Sequence, residues 1–547
     1  MTKILVTSAL PYVNNIPHLG NLIGSVLSAD CYARYQRLRG NEVLYVLGTD
    51  EFGTTTENKA REEGITVEEL VEKYFKIHKE VYDWFGTSYD CLGRTTSKEN
   101  REVAKDIFLK LYKKGLIIEK EIEQLYSEKS EKFLSDRFVE GECPHCHAKG
   151  ARGDQCDACG HLIDQKELIN PISKLDGTKP ILKKTKHLYV DLAKLQPILE
   201  KFFKERKDSW SAQAVSITQQ WFKRGLEARA ITRDLKWGIP VPLKGWEDKV
   251  FYSWFDAPIG YIGITKECLG EKYTSWWKDK DILLYQFMGK DNVPFHSIMF
   301  PSYLIGAEDG YNIIDTLDST AYINYENAKF SKSKGTGVFG DDAIKSGIAS
   351  DLWRYYLFRM RPEDNDTEFV WDDFGAKTNN ELVGNFGNFV NRVVSLTEKF
   401  FEGKKPAKKN SPLKKSVEKL LKEYFALLDR SRERDALTKA NEISSLGNKF
   451  LQDKEPWKLA KENLDEAGEV IAECIDLLKV LSLVYHPFTP TASEKVAKII
   501  GFDIKEGFAK ASEEVKEATK LNPQGILFEK LEKKQIDAFR EKFSGKK

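Results

Sequence analysis

The chain has 547 residues, which is too long for a single hydrophobic core and predicts several structural units. Its hydrophobic content of 41% is ordinary for a globular protein, and its net charge of +1 excludes a global attraction to nucleic acid. No apolar stretch is long enough to cross a bilayer, and Met1 leads directly into a strand-like segment. We therefore expect a cytoplasmic protein without a signal peptide.

The first elements along the chain predict a strand–helix–strand unit. Residues 3–10 are typical of a buried parallel strand, residues 22–38 of an amphipathic helix, and residues 42–48 of a second buried strand. The loop after the first strand, residues 17–21 (Pro-His-Leu-Gly-Asn), then lies at the ligand-binding edge of the sheet. Its imidazole and bare backbone N–H groups at a helix start suit a phosphate group. No G-x-G-x-x-G follows the first strand, which disfavours a dinucleotide enzyme.

Residues 116–230 interrupt this pattern with a polar segment that contains clustered cysteines. Parallel-sheet character is predicted to return at residues 249–255 and 282–288. We interpret residues 116–230 as an insertion between two halves of one nucleotide-binding fold.

The cysteine cluster predicts a structural metal site. Two C-x-x-C turns, Cys143 with Cys146 and Cys156 with Cys159, can close a tetrahedral four-thiolate zinc site with no open coordination position. Gly153 and Gly160 permit tight turns there, and we expect the nearby His145, His147 and His161 not to be ligands. In a cytosolic chain the other cysteines are expected to be free thiols. They are Cys31, Cys91, Cys268 and Cys474.

The second half of the chain adds a lysine loop and a helical region. Residues 329–335 place lysines and hydroxyls in a glycine-bounded loop, which together with the turn at 17–21 can hold a triphosphate from both sides. From about residue 376 the apolar spacing predicts a helix bundle. Its predicted helices are 376–401, 412–430, 434–452 and 466–485. A lysine-rich stretch within it fits either a solvated linker or a local RNA-binding surface. These lysines are Lys404, Lys405, Lys408, Lys409, Lys414 and Lys415.

Residues 17–21 and 329–333, in this order, resemble the HIGH and KMSKS signatures of class I aminoacyl-tRNA synthetases. Longer segments resemble the methionyl-tRNA synthetase family over nearly the whole chain. They are residues 8–12, 48–54, 231–240, 254–261 and 289–296. The resemblance implies an α/β fold, in which a Rossmann-like parallel-sheet catalytic domain is split by a zinc-knuckle insertion. An all-α helical-bundle anticodon-binding domain follows it.

The resemblance also implies domain boundaries. The catalytic fold would occupy residues 1–115 and 231–320, and the insertion 116–230. A linking region with the KMSKS-type loop would cover residues 321–375, and the anticodon-binding domain 376–547.

Site residues follow from the resemblance, motif by motif. The implied methionine-binding residues are Leu10, Tyr12, Asp50, Trp254, Ala257, Pro258, Tyr261 and His296. The implied ATP-binding residues are His18, Gly20, Asn21, Lys290, Asp291 and Lys332. The implied catalytic residues are His18, Asn21, Lys329 and Lys332. The implied anticodon readers are Asn388, Arg392 and Trp457.

The implied activity is a two-step ligation, in which ATP activates L-methionine and the methionyl group passes to initiator and elongator tRNA(Met). Magnesium would accompany ATP. Some members of the family carry an appended oligonucleotide-binding dimerisation domain. We expect this chain to lack that domain and therefore to be a monomer.

Three departures from the family pattern are visible in the sequence. Asn21 stands where the first signature has a second His, and Phe330 replaces Met in the second, which should matter little for chemistry. The segments 127–130 and 173–176 carry serines where other members have a second pair of C-x-x-C turns. Because serine is a poor zinc ligand, we expect a single zinc ion and a metal-free second knuckle.

Two alternatives remain beside this interpretation. Synthetases for leucine, isoleucine or valine carry a much larger editing insertion than residues 116–230 provide. A non-catalytic RNA-binding paralogue would be expected to lose His18 or the lysine loop, and both are present.

Overall fold

The structure, a computed structural model, describes residues 1–134, 138–152, 156, 158–159, 163–326, 328–332 and 334–545. A five-stranded, wholly parallel sheet forms the centre of its first half. Its strands are β1 (Lys3–Ser8), β2 (Glu42–Thr49), β3 (Cys91–Arg94), β4 (Ile282–Gly289) and β5 (Thr316–Thr320). The order β5-β4-β1-β2-β3 leaves the carboxyl ends of β1 and β4 side by side, where such sheets bind ligands.

Alternation along β1 explains how one sheet supports two hydrophobic cores. Ile4 and Val6 point into a core shared with the C-terminal helices, whereas Leu5 points into a second core shared with the helices on the other face. Because both faces are covered, the strands are apolar nearly throughout, as the sequence predicted for residues 3–10 and 42–48.

The helix predicted at 22–38 is present, with an irregular first turn. A π-helical turn at Leu22–Val26 leads into the α-helix Leu27–Leu38, and most of its residues are buried instead of forming one apolar stripe. Helices Lys98–Lys113 and Ser253–Leu269 pack on the other side of the sheet. Other α-helices before residue 370 are Leu19–Asn21, Thr54–Glu63, Val67–Trp84, Leu192–Arg206, Ala212–Arg224, Thr274–Trp277, Phe300–Ala307, Gly340–Lys345 and Ser350–Arg359.

Small antiparallel sheets build the insertion between β3 and β4. The strands Ile117–Ser127 and Ile181–Val190 pair along their length, with Lys132–Phe133 and Arg229–Ala230 at the edges. Val139–Glu142 pairs with Lys149–Arg152 and Ile169–Ser173 beside the cysteine cluster. The prediction of parallel-sheet character at 249–255 is wrong, because Val250–Phe251 pairs antiparallel with Thr232–Arg233 outside the main sheet. A short apolar run does not specify its partner strand.

Helices dominate the chain after residue 370. They are Trp371–Lys377, the π-helical Thr378–Gly387, Asn388–Phe401, Lys414–Leu428, Glu433–Lys454, Pro456–Leu459, Leu464–Tyr485, Pro490–Ile499 and Lys533–Lys542. The helices Glu433–Lys454 and Pro456–Leu459 are separated by Glu455, which takes a left-handed conformation (φ 42°). The bundle shares one core with the sheet. The buried Arg354 pairs with Asp30 at 2.8 Å and also donates to the backbone carbonyls of Pro487 and Phe488, so it connects the bundle to the helix Leu27–Leu38.

The structure corrects one expectation about the cysteines. Cys91 and Cys268 form a disulfide, with Cα atoms 5.8 Å apart, although both were expected to be free. Cys91 begins β3, and Cys268 lies near the end of the helix Ser253–Leu269 that packs on that strand. A pairing across 177 residues depends on this packing and leaves no local sequence signal.

The lysine-rich stretch is neither a simple linker nor a continuous basic surface. The side chains of Lys405 and Lys408 are buried and pair with acidic residues of helix Leu464–Tyr485. Both ammonium groups lie 2.7–2.8 Å from Asp476, and Lys408 also lies 2.7 Å from Glu473. These two charges therefore attach the stretch to the bundle and are not available to RNA.

Candidate active site and metal centre

A cavity of about 460 Å³ opens at the carboxyl ends of β1 and β4. It brings together most of the residues that the sequence assigned to methionine and to ATP. Those lining it are Leu10, Tyr12, His18, Gly20, Asn21, Asp50, Trp254, Ala257, Pro258, Tyr261, Asp291 and His296. Lys290, Lys329 and Lys332 lie outside its wall.

The local fold fixes the proton position on His18. The backbone N–H of Asn21 donates to Nδ1 of His18 (3.2 Å), while the Asn21 side-chain oxygen accepts from the His18 backbone. Burial lowers the pKa of His18 to about 4, so the imidazole is neutral at pH 7. Since Nδ1 accepts a hydrogen bond, the single proton resides on Nε2. His18 is thus a neutral hydrogen-bond donor at the cavity.

Gly20 gives the imidazole the space for this position. A Cβ at position 20 would lie 3.0 Å from both Nδ1 and Cε1 of His18. A larger residue there would push the ring out of its place over the turn.

Asp50 supplies a buried carboxylate at the end of β2. Its side chain lines the cavity, and Oδ1 has no hydrogen-bond partner among the described residues. Burial raises the pKa of Asp50 well above its usual value, and the neighbouring Glu51 adds to this effect. A cationic ligand beside Oδ1 would stabilise the ionised form.

Aromatic side chains form another part of the cavity wall. Trp254 packs against Phe295 with ring centroids 4.5 Å apart and against Tyr252 at 4.7 Å. Trp254 and Tyr12 remain 39% and 40% exposed, so large apolar faces are open to a ligand. Such rings favour a polarizable thioether side chain.

A hydrogen-bonded pair closes the inner end of the cavity. Nδ1 of His296 lies 2.9 Å from the carbonyl oxygen of Asn292, so it donates there. Nε2 then accepts from the hydroxyl of Tyr261 at 2.8 Å. Burial lowers the pKa of His296 to about 4, and this neutral pair presents little charge to an apolar ligand.

The lysine loop lies beside the first signature, as the sequence interpretation required. Phe339 forms a backbone bridge with His18, and the Phe330 ring stacks on the imidazole. Lys332 Nζ lies 4.7 Å from the centre of the Phe339 ring. It pairs with Asp341 at 2.7 Å and Asp342 at 2.9 Å, whereas Lys329 is exposed. Ser333 lies outside the described residues.

Sequence reasoning missed Tyr322, which lines the cavity just beyond β5. Its hydroxyl donates to Asp291, and its ring lies 3.9 Å from the Lys290 ammonium group. Lys290 itself pairs with Asp366 at 2.8 Å. The sequence could have indicated Tyr322 by its position just after a parallel strand, because ligands bind at the carboxyl ends of such strands. Phe295 and Asn292 were within a quoted motif but received no role.

The four clustered cysteines form a candidate metal centre. Their sulfur atoms all lie within 4.8 Å of one another, with Cys143 to Cys159 at 3.8 Å and Cys146 to Cys156 at 3.6 Å. A tetrahedral site with metal–sulfur bonds of about 2.3 Å has sulfur–sulfur separations of about 3.8 Å, so the donor set fits zinc. His147 contacts Glu142 instead (2.7 Å). Gly153, Gly160 and His161 lie outside the described residues.

A carboxylate occupies the centre of the second knuckle. The hydroxyls of Ser127 and Ser130 both donate to Asp176, and the hydroxyl of Thr178 donates to the same carboxylate at 2.7 Å. These hydrogen bonds hold the pKa of Asp176 well below its usual value. The network links the two segments where other family members are expected to bind metal.

The proposed anticodon readers lie in the helical bundle, remote in sequence from the cavity. The Arg392 guanidinium lies 5.4 Å from the Trp457 ring centre, and Trp457 is half-buried. Asn388 is exposed one turn before Arg392 on helix Asn388–Phe401.

Comparisons with known proteins agree with this arrangement. Residues 4–394 match the family described as "tRNA synthetases class I (M)", and residues 401–547 match the "Anticodon binding domain of methionyl tRNA ligase". The chain is 47% identical to the probable cytoplasmic methionine–tRNA ligase of Dictyostelium discoideum, covering 99% of this chain and 75% of that protein. It is 46% identical to the cytoplasmic methionine–tRNA ligase of Xenopus laevis, covering 99% of this chain and 61% of the relative.

A bacterial methionine–tRNA ligase, from Borreliella burgdorferi, is 47% identical over 99% of this chain and 75% of its own length. The Mycobacterium tuberculosis methionyl-tRNA synthetase in complex with methionyl-adenylate shares the fold, with a TM-score of 0.80 and 21% identity. That match covers 96% of this chain and 100% of the other. Among the described residues no helix is long and apolar enough to span a membrane. The chain belongs to the methionyl-tRNA synthetase family of class I aminoacyl-tRNA synthetases.

Proposed function

We propose that this chain is a methionine–tRNA ligase, which forms methionyl-adenylate from L-methionine and ATP and then charges tRNA(Met). The observation that carries the proposal is one cavity lined by both Asp50 and His18. A carboxylate for the substrate ammonium and a neutral imidazole for phosphate therefore face the same space. Use of both initiator and elongator tRNA, and the monomeric state, remain predictions.

In the first step the methionine carboxylate attacks the α-phosphate of ATP, and pyrophosphate leaves. The protein needs no nucleophile of its own, because alignment and charge stabilisation lower the barrier. Asp50 and the backbone of Leu10 would hold the ammonium group, and the wall around Trp254 the thioether. His18 would donate its Nε2–H to a phosphate oxygen, with Gly20 and Asn21 beside it.

The lysine loop would complete the nucleotide site from the other side. Lys332 and Lys329 would move from the positions described above to approach the phosphates. Lys290 and Asp291 would lie near the nucleotide. Magnesium bound with ATP would supply further positive charge to the triphosphate.

In the second step the terminal ribose hydroxyl of tRNA attacks the adenylate carbonyl, and AMP leaves. Asn388, Arg392 and Trp457 would read the anticodon by hydrogen bonding and stacking on an unpaired base. The contact between Arg392 and Trp457 supports one shared surface for these residues.

A methionine-dependent ATP–pyrophosphate exchange assay tests the proposed function. Exchange with methionine but not with leucine, isoleucine or valine is expected. Exchange driven by one of those amino acids would reassign the substrate, and no exchange with any would favour a non-catalytic RNA-binding protein.

Replacing Asp50 by Asn should raise the KM for methionine by about 10- to 100-fold, because a charge-assisted hydrogen bond is lost. In the unmodified chain, methionine binding should weaken as the pH falls through the raised pKa of Asp50, since the protonated carboxyl no longer attracts the ammonium group. Steady-state kinetics across pH measures both effects. Asp50→Asn should lack this acid-side dependence, and an identical pH profile in the variant would contradict the assignment.

Metal analysis should return one zinc ion per chain, held by Cys143, Cys146, Cys156 and Cys159. Cys146→Ala should lose the metal, because three thiolates no longer close a tetrahedral site. Ser130→Ala serves as the control and should retain one equivalent. Two equivalents in the unmodified chain would contradict the hydroxyl–carboxylate interpretation of the second knuckle.

A further inference from the structure

The Phe330 side chain connects the two signature segments by contacting His18 directly. Its ring stacks on His18 with centroids 4.5 Å apart and planes inclined by only 6°. Phe330 lies 312 positions after His18, so the two rings are adjacent only because the lysine loop folds back onto the first turn. From the sequence, phenylalanine in place of methionine at this position was expected to matter little for the chemistry.

The surroundings of Phe330 hold its ring in this place. Tyr325, at the end of the short strand Ile323–Tyr325, has its ring centre 5.7 Å from that of Phe330. The Phe339 ring lies edge-on to Phe330 at 6.4 Å. Gly337, with φ +90°, comes so close that a Cβ there would collide with the Phe330 ring. Phe339 also contacts His18 at 5.9 Å with its plane nearly perpendicular, so two rings bracket the imidazole.

The remaining contacts of His18 constrain one edge of its ring. Nδ1 accepts a hydrogen bond from the Asn21 backbone. This bond alone does not prevent the imidazole from rotating about the hydrogen-bond axis, so neighbouring atoms must restrict that rotation. The stacked Phe330 ring restricts that rotation by covering one face. Nε2 is thereby aimed while the imidazole remains neutral.

We propose that Phe330 is a positioning residue that orients the His18 imidazole for phosphate and couples its orientation to the position of the lysine loop. This inference rests on the proposed function, because it assumes that His18 donates to the nucleotide. A loop that moves carries Phe330 with it, so the imidazole and Lys332 change position together. A methionine at position 330 would fill the volume without a flat ring to stack.

Phe330→Leu and Phe330→Met should each lower kcat for pyrophosphate exchange by about three- to tenfold, with the KM for methionine changed by less than about twofold. Phe330→Tyr should restore kcat, because it keeps the ring. Phe369→Leu is the matched control, since Phe369 stacks on Tyr325 at 5.7 Å but makes no ring contact with His18. It should leave kcat unchanged.

NMR of the imidazole protons gives a second measurement that general packing would not mimic. The stacked ring should displace the His18 resonance upfield, and Phe330→Leu and Phe330→Met should both remove this displacement while Phe330→Tyr keeps it. His18→Gln identifies the signal among the eight histidines. The inference would be overturned if kcat is unchanged in both Phe330→Leu and Phe330→Met, or if the His18 resonance does not move in them. An equal loss of kcat in Phe369→Leu would also overturn it. Full activity of His18→Gln would instead remove the role of His18 on which the inference rests. Absence of methionine-dependent exchange in the unmodified chain would overturn the proposed function.

Discussion

Lys332→Ala should lower the rate of methionyl-adenylate formation by about 100- to 1,000-fold and leave the KM for methionine nearly unchanged. Removing one group that stabilises charge only in the transition state typically costs this much, because ground-state binding of the other substrate does not use it. In the structure this lysine lies outside the cavity wall, paired with Asp341 and Asp342. Its contribution would therefore appear in kcat after the loop moves.

Pyrophosphate exchange at varied methionine and ATP concentrations measures this effect. Lys345→Ala is a close control, because Lys345 pairs with the same Asp341 at 3.1 Å from an exposed position on the next helix. The control should exchange normally. Near-normal exchange in Lys332→Ala would reject a role for this lysine in the first step.

Trp457→Ala should reduce tRNA charging by about 10- to 100-fold while adenylate formation stays within about twofold of the unmodified chain. Base–aromatic stacking is worth about 1–3 kcal/mol per base, and the Trp457 ring is the largest stacking surface among the proposed readers. The adjoining Arg392 remains in the variant and preserves part of the surface. The cavity is formed by other elements, so the first step should not respond.

The two steps are separated by pyrophosphate exchange and by aminoacylation of tRNA(Met) transcripts. Trp276→Ala provides the same truncation at a partly buried tryptophan outside the helical bundle, and it should leave charging intact. An equal loss of both steps in Trp457→Ala would indicate a general packing role for this side chain.

Local sequence determined the elements whose formation depends on neighbouring residues. Three features are each specified within a few positions: the continuous apolar runs of β1 and β2, the turn at His18 and Gly20, and the two C-x-x-C turns. The family resemblance then indicated which distant segments form one site. The cavity is lined by most of the residues that the resemblance assigned to methionine and to ATP.

Tertiary structure alone decided the contacts between segments far apart in the chain. The Cys91–Cys268 disulfide, the burial of Lys405 against Asp476, and the stack of Phe330 on His18 all depend on packing across 70 or more positions. The sequence around a cysteine, a lysine or a phenylalanine does not show which distant residue it will contact. Its partner is selected by how helices and loops pack on the sheet, because that packing buries the most apolar surface while satisfying charged groups.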